Sequence, residues 1–125
     1  SGLASMHELS LAESMRELIE EQAEAEHFNL VEAVYLEVGQ LSHVEAEAMQ
    51  FCFDAVMKGS IADNAKLILS RPSGIGLCGS CQKQSEIKHL YDACSHCGAF
   101  GLEVIQGDQV RISSLQVSTK ESPTD

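Results

Sequence analysis

The chain has no tryptophan and only two tyrosines and four phenylalanines in 125 residues, so a core must be assembled largely from aliphatic side chains, methionine and alanine. Proline is also scarce, with Pro72 and Pro123 alone to break regular structure. No apolar run is long enough to span a bilayer, and no charged-then-apolar segment opens the chain. The expectation is a soluble, cytoplasmic protein of one ordinary domain or two small ones. Bases are few as well, with 8 Lys and Arg against 19 Asp and Glu. Up to Glu47, eleven glutamates face the single base Arg16, whereas the remainder is almost balanced at eight acids to seven bases. A phosphate backbone needs clustered Lys and Arg, so this distribution argues against a nucleic-acid reader.

What the chain does have is cysteine in a pattern. Cys78-Gly79-Ser80-Cys81 and Cys94-Ser95-His96-Cys97 are couplets separated by the twelve residues Gln82 to Ala93. Each couplet can form a knuckle that aims two thiolates at one ion, and together they supply the four soft ligands of a tetrahedral site. Zinc is the first choice, iron in the same four-sulfur geometry the inorganic rival, and a disulfide or redox role a weaker third. A site filled on all four sides by protein has no place for substrate, so its expected role is to hold a small fold together. Thiolates kept for a metal also point to a reducing compartment. The fifth cysteine, Cys52, reads as a small buried hydrophobe on a helix face.

Along the chain, Ser1 to Ser5 precede the first methionine and read as a cloning remnant, with the natural chain beginning Met6-His7-Glu8. Ser10 and Glu13 have capping-box spacing ahead of a helix in which Leu11, Met15, Leu18, Ile19, Gln22 and Ala25 recur near helical period. Its wet face carries Glu13, Glu17, Glu20, Glu21 and Glu24, and it runs to Glu26 or His27. From Val31 the pattern alternates as a strand to Gly39, with Val34, Leu36 and Val38 on one face. Ser42 and Glu45 repeat the capping-box spacing before a second helix with Met49, Cys52, Phe53 and Val56 on its apolar side. Strands follow at 66–71, 102–105 and 110–117, the last two flanking the turn Gly107-Asp108. The phase of the last strand changes near Ser113-Ser114, and that strand is read as returning from the metal module to the first sheet. The fold class is α+β.

His7 is the second chemical signal. An imidazole beside a chain terminus can bind nickel, copper or zinc together with adjacent backbone nitrogens in a compact square-planar cage. An isolated histidine before a helix is otherwise a solvated or locally hydrogen-bonded residue. The acidic first helix offers a surface for a basic partner, although such a charge run also reads simply as a solvated face.

The opening Met6-His7-Glu8-Leu9-Ser10, the segment Val38-Gly39-Gln40-Leu41-Ser42 leading to Phe51-Cys52-Phe53-Asp54, and the two couplets in this order resemble the HypA/HybF family of hydrogenase nickel-incorporation proteins. The resemblance runs from Met6 to Val117. It implies a nickel metallochaperone for maturation of nickel-iron hydrogenase, with a nickel-binding lobe of two helices and a small mixed sheet and a zinc-ribbon-like β lobe. Carried onto this sequence, the nickel ligands fall on His7 and Glu8 and the structural zinc ligands on Cys78, Cys81, Cys94 and Cys97. On this basis 6–74 with 109–118 form the nickel-binding lobe, 75–108 the zinc-binding lobe, and 119–125 a disordered tail. The implied partners are a hydrogenase-maturation GTPase and the hydrogenase large-subunit precursor. The family pattern also uses backbone nitrogens at the very start of the chain, where Ser1 to Ser5 turn the Met6 amine into an ordinary amide. The rival reading is a zinc-ribbon interaction module with no nickel role. No Ser/His/Asp constellation or phosphate loop supports an enzyme.

Overall fold

The structure, a computed structural model, describes the backbone of residues 2–119 and the side chains of residues 7–119. The side chains of the expected remnant and the tail beyond Thr119 lie outside the described residues. The elements are α1 (Gly2–Glu26), β1 (Leu30–Val38), α2 (Ala46–Met57), β2 (Lys66–Ser70), β3 (Gly74–Leu77), β4 (Gln84–Ile87), β5 (Glu103–Gln106) and β6 (Val110–Ser118). They form two three-stranded sheets, of order β2-β1-β6 and β4-β3-β5. The chain divides into two compact units, one of residues 1–35, 44–68 and 112–125, the other of residues 36–43 and 69–111. β5 and β6 therefore do not form a hairpin with each other, and β6 joins the sheet of β1 as the phase change in its sequence suggests. Burial along β6 slips by one residue at Ser113-Ser114, with half-buried positions at Val110 and Ile112 and then at Leu115 and Ser118.

In the first unit, α1 starts earlier than its capping signal. Ser10 lies inside the helix, which begins at Gly2 because Leu3, Ala4 and Met6 favour helix and nothing between Gly2 and Ser10 breaks it. Its buried stripe is Glu8, Ala12, Met15 and Ile19, spaced by four, three and four residues. Gln22 and Ala25, expected on that face, are exposed, and Leu18 is 53% exposed. Met49, Cys52, Phe53 and Met57 are the matching buried face of α2. Val31, Ala33 and Val34 of β1 complete this apolar set, which contains one phenylalanine from α2 and no other large aromatic from either helix.

The second helix is capped from outside its own sequence. Its N-cap residue is Glu45, and no side-chain cap bond forms there. The Ser42 hydroxyl instead donates to the Gly39 carbonyl at 2.7 Å, so the expected Ser42–Glu45 box is absent. The free N–H of Glu45 donates to Glu8 Oε2 at 2.9 Å, from α1. At the other end, Arg16 Nη1 donates to the Val56 carbonyl at 2.8 Å, again from α1. An acid thus serves the positive end of α2 and a base its negative end, both signs matching the helix dipole.

Glu8 is fully buried, and its Oε1 has no hydrogen-bond partner among the described residues. Glu8→Ala leaves the Glu45 N–H uncapped and is expected to cost about 1–2 kcal/mol, the range for a lost helix cap. Glu8→Gln keeps an acceptor for that N–H, so it should lose less stability than Glu8→Ala. Urea unfolding followed by far-ultraviolet circular dichroism checks both, and an alanine variant with unchanged midpoint would show that the bond contributes nothing.

Candidate metal centre

The second unit has a small apolar core: Leu41, Cys78, Ile87, Cys94 and Leu102, with Cys81, Ala99 and Val104 packed against it. Two of its five buried members are cysteines. β3 carries the chain into the first couplet and pairs antiparallel with β4 on one side and β5 on the other, with a register irregularity between Ile75 and Gly76. The segment 36–43 enters this unit by a close backbone crossing. A Cβ on Gly39 would lie 2.0 Å from the carbonyl oxygen of Gly107, which itself adopts φ +95, so both positions require glycine. That same carbonyl accepts from Leu41 N–H at 2.8 Å and so places Leu41 in the core beside the cysteines.

The two couplets fold into the same local shape. In the first, Gln82 N–H donates to the Cys78 carbonyl at 2.9 Å and Cys78 N–H to the Lys83 carbonyl at 3.0 Å. In the second, Gly98 N–H donates to the Cys94 carbonyl at 2.9 Å and Cys94 N–H to the Ala99 carbonyl at 2.8 Å. Each turn needs a left-handed residue four positions after its first cysteine, supplied by Gln82 at φ 63 and Gly98 at φ 80. Gln82 tolerates that conformation with its side-chain amide donating to the Gly79 carbonyl at 2.9 Å. Within each knuckle a backbone N–H also reaches sulfur, from Cys81 to Cys78 Sγ and from His96 to Cys94 Sγ, both at 3.4 Å.

The four sulfurs all lie within 4.8 Å of one another. Cys78 and Cys97 are 3.6 Å apart and Cys81 and Cys94 3.7 Å, so the couplets interlock by pairing across rather than within themselves. A tetrahedron with metal–sulfur bonds of about 2.3 Å has edges of about 3.8 Å, and the observed separations fit that cage. They are too long for a disulfide, whose sulfurs sit about 2.0 Å apart.

The electrostatics of the cluster call for a cation. Cys94 is held down at about 6, chiefly by the backbone N–H of Cys97 and then by that of His96. Cys78 is also lowered, first by the Cys81 N–H. Cys97 is pushed up to about 11: the Ala99 N–H is its largest single influence and pulls down, but the Cys78 sulfur, burial and the other two sulfurs together outweigh it. Four neighbouring thiols cannot all ionise unless a metal neutralises them, so two give up protons readily and the others hold theirs.

The other candidate metal-binding and cysteine residues do not add a ligand side chain to this group. His7 is exposed on α1, while Glu8, the next residue, is buried against α2 and bonded to Glu45. Adjacent helical residues point about 100° apart, so the two side chains are not brought together here. Among the described residues, the four cysteines form the one group of three or more metal-ligating side chains that converge. Cys52 is buried and its thiol is raised, first by burial and second by the Glu8 carboxylate, which suits a packed residue. His96 is exposed, with Nε2 at 3.1 Å from the Gln84 carbonyl. The contributors not legible beforehand are β3, β4, whose sequence is mostly polar, and Ser85 within β4, whose hydroxyl lies 3.7 Å from Cys94 Sγ.

Two outcomes test the centre. Cys78→Ser should release the metal and unfold residues 69–111 while the α-helical signal of the first unit persists, because that unit has its own apolar core. Metal analysis with circular dichroism and amide spectra reads this directly. The second outcome concerns pH. Cys97 has a folded value above its ordinary 9.0, so its contribution to the metal-free protein is present below 9 and is lost as pH rises toward 11. Cys94 has the opposite sign, contributing above 9 and losing that contribution as pH falls through about 6. Metal-free protein should therefore lose stability on both sides, whereas metal-loaded protein, whose thiols are already ionised, should be flat on the alkaline side. Thermal unfolding between pH 5 and 11 with and without metal separates the two.

Comparison with known proteins gives the context of this geometry. Residues 6–117 match the family model described as hydrogenase/urease nickel incorporation, metallochaperone, hypA. The hydrogenase maturation factor HypA of Azotobacter chroococcum is 46% identical over 112 residues, covering 90% of this chain and 99% of the relative. That of Rhodopseudomonas palustris strain BisB5 is also 46% identical over the same lengths. The solution structure of the nickel metallochaperone HypA from Helicobacter pylori shares the fold, with a TM-score of 0.70 and 23% identity over 90% of this chain and 98% of that one. No helix among the described residues is long and apolar enough to cross a membrane. By its matched length and its identity to these relatives, the chain belongs to the HypA/HybF family of nickel-incorporation metallochaperones.

Proposed function

We propose that the protein carries nickel to the large-subunit precursor of a nickel-iron hydrogenase, in the cytoplasm and together with a maturation GTPase, and that Cys78, Cys81, Cys94 and Cys97 hold a structural zinc. The family description names both hydrogenase and urease, and the names of the similar relatives favour hydrogenase. The observation that carries the reading is a contrast of two environments. The cysteine centre is an interlocked set of four sulfurs drawn from two hydrogen-bonded turns, which by themselves supply all four ligands of a tetrahedral ion. His7 is a single exposed imidazole near the chain start. A cargo ion must be bound and then surrendered, which suits the second environment and not the first.

Zinc, when bound, would cross-link the two couplets and neutralise the thiolates. What the chain itself supplies is the preformed pair of knuckles. At the nickel site, His7 supplies the ring nitrogen, and Glu8, in its present position, anchors the same turn of α1 to the start of α2 through Glu45. Backbone nitrogens could join His7 only where they are free of helical bonding. In the Gly2–Glu26 helix, the N–H groups of residues 6–8 fall beyond the first four, so they are committed to carbonyls one turn back.

A chain beginning at Met6 would place those nitrogens, and a terminal amine, in the unbonded first turn. It should bind nickel more tightly than the present chain, by at least tenfold if the amine is a ligand. His7→Ala should remove most of that binding and leave the zinc content unchanged. Calorimetric nickel titration of both chains, with zinc measured in parallel, tests this. Equal isotherms for the two chains would remove the amine from the site, and a titration insensitive to His7→Ala would favour an interaction module without a nickel role.

A further inference from the structure

Among the described residues, two polar side chains are buried, Glu8 and Ser85. Ser85 lies on β4, opposite Gly76 of the strand that leads into the first couplet, so the ladder fixes its backbone. Its hydroxyl is fully assigned. The oxygen accepts from the Ser95 N–H at 3.2 Å and from the Ser95 hydroxyl at 3.1 Å, which uses both lone pairs. The single proton is left for Cys94 Sγ, at 3.7 Å. The preceding residue ties the same knuckle to the same strand, with the Gln84 carbonyl 3.1 Å from His96 Nε2.

The other hydrogen bonds to cluster sulfurs are made within the cysteine set or by backbone groups of the couplets and of the residues that close their turns. The sulfur–sulfur contacts cross between the couplets, but neither they nor the backbone bonds tie the second knuckle to the sheet of the first. Ser85 does, because it is rooted in the strand joined to Cys78 and touches the second couplet at both Cys94 and Ser95. We propose that Ser85 is a positioning residue of the metal centre, whose O–H holds Cys94 Sγ in its ligating orientation and whose oxygen locks the second knuckle against β4 before metal arrives. The inference rests on the four-cysteine reading. The hydroxyl does not touch the ion. It acts on the sulfur, as donors behind metal ligands do elsewhere, where their loss costs roughly 10- to 100-fold in affinity.

The experiment is a cobalt(II) titration of the metal-free full chain, with cobalt as the visible stand-in for zinc and a chelator as competitor. Ser85→Ala should bind roughly 10- to 100-fold more weakly while keeping tetrahedral four-thiolate spectra. Its sulfur-to-cobalt charge-transfer band should move to lower energy, because a thiolate that has lost its donor gives up electron density more easily. Ser85→Thr should restore both affinity and band position. Ser95→Ala removes one donor to Ser85 but spares the Ser85–Cys94 bond, so it should lose less affinity than Ser85→Ala and keep the parent band. An alanine variant with parental affinity and spectrum would overturn the role of Ser85. So would a threonine variant as weak as alanine, since that pattern marks simple packing. A parent chain showing no tetrahedral thiolate spectrum would overturn the cysteine centre itself, an outcome distinct from either.

Discussion

The mutual repulsion of four thiolates, which only a cation can convert into attraction, is the constraint on which the second unit depends. The core cluster around the sulfurs has five buried members, and two are cysteines. A core of that size removes little apolar surface from water, far short of what the ordering of some fifty residues demands. Small folds of this kind are held by a cross-link, and here the cross-link must be ionic because the sulfurs stand 3.6 to 3.7 Å apart. The hydrogen bonds around the cluster fit that role. They lower Cys94 and Cys78, the first cysteine of each couplet, so each knuckle offers one ready thiolate to an incoming ion. The remaining two surrender their protons as the ion enters, which ties metal occupancy to pH and to folding together.

In the first unit the organising device is a helix whose ends are both finished by another helix. Glu8 and Arg16 are eight residues apart on α1, about 12 Å along its axis, and reach the first and last turns of α2. The buried apolar faces of α1 and α2 set which sides of the two helices are turned inward but leave sliding along the axis weakly specified. Two directional bonds of opposite charge remove that freedom. Arg16 is also the single base among the first 47 residues, and besides capping Val56 it pairs with Glu20 at 3.0 Å. The exposed pair adds little by itself. The directional bond to the Val56 carbonyl is the stronger reason for a guanidinium at that position.

Local signals in the sequence were readable where the chemistry is local. The couplets announce their geometry because a Cys-x-x-Cys turn is made by its own six residues, and the strand from 30 to 38 declares itself by alternation. The same logic explains the failures. Ser10 with Glu13 and Ser42 with Glu45 have the spacing of capping boxes, yet α1 continues through the first and a distant carboxylate replaces the second. A cap competes with every other acceptor the fold brings near, and spacing cannot show those. Gly39 was visible as part of a motif, but its reason, a backbone crossing at Gly107, lies almost seventy residues away. Ser85 carried no signal at all: one serine in a polar stretch acquires meaning only when Cys94 and Ser95 fold back against it.

The acid-rich start of the chain can be weighed against the same standard. Glu13, Glu17, Glu20, Glu21 and Glu24 are exposed along α1, and among the described residues none converges with two other ligating groups. Such a face raises the local concentration of cations without selecting among them. Screening at physiological salt acts over about 8 Å, and Glu13 lies about 9 Å along the helix from His7. The field therefore speeds encounter of a divalent ion, or of a basic partner, more than it holds either one. On the proposed function, selection would fall to the imidazole of His7, since imidazole suits nickel better than carboxylate does. The cysteine centre is the opposite case, selective and retentive through geometry. On the proposed function, capture, selection and retention would fall to different parts of one short chain, and the part that retains would be the one that does not carry cargo.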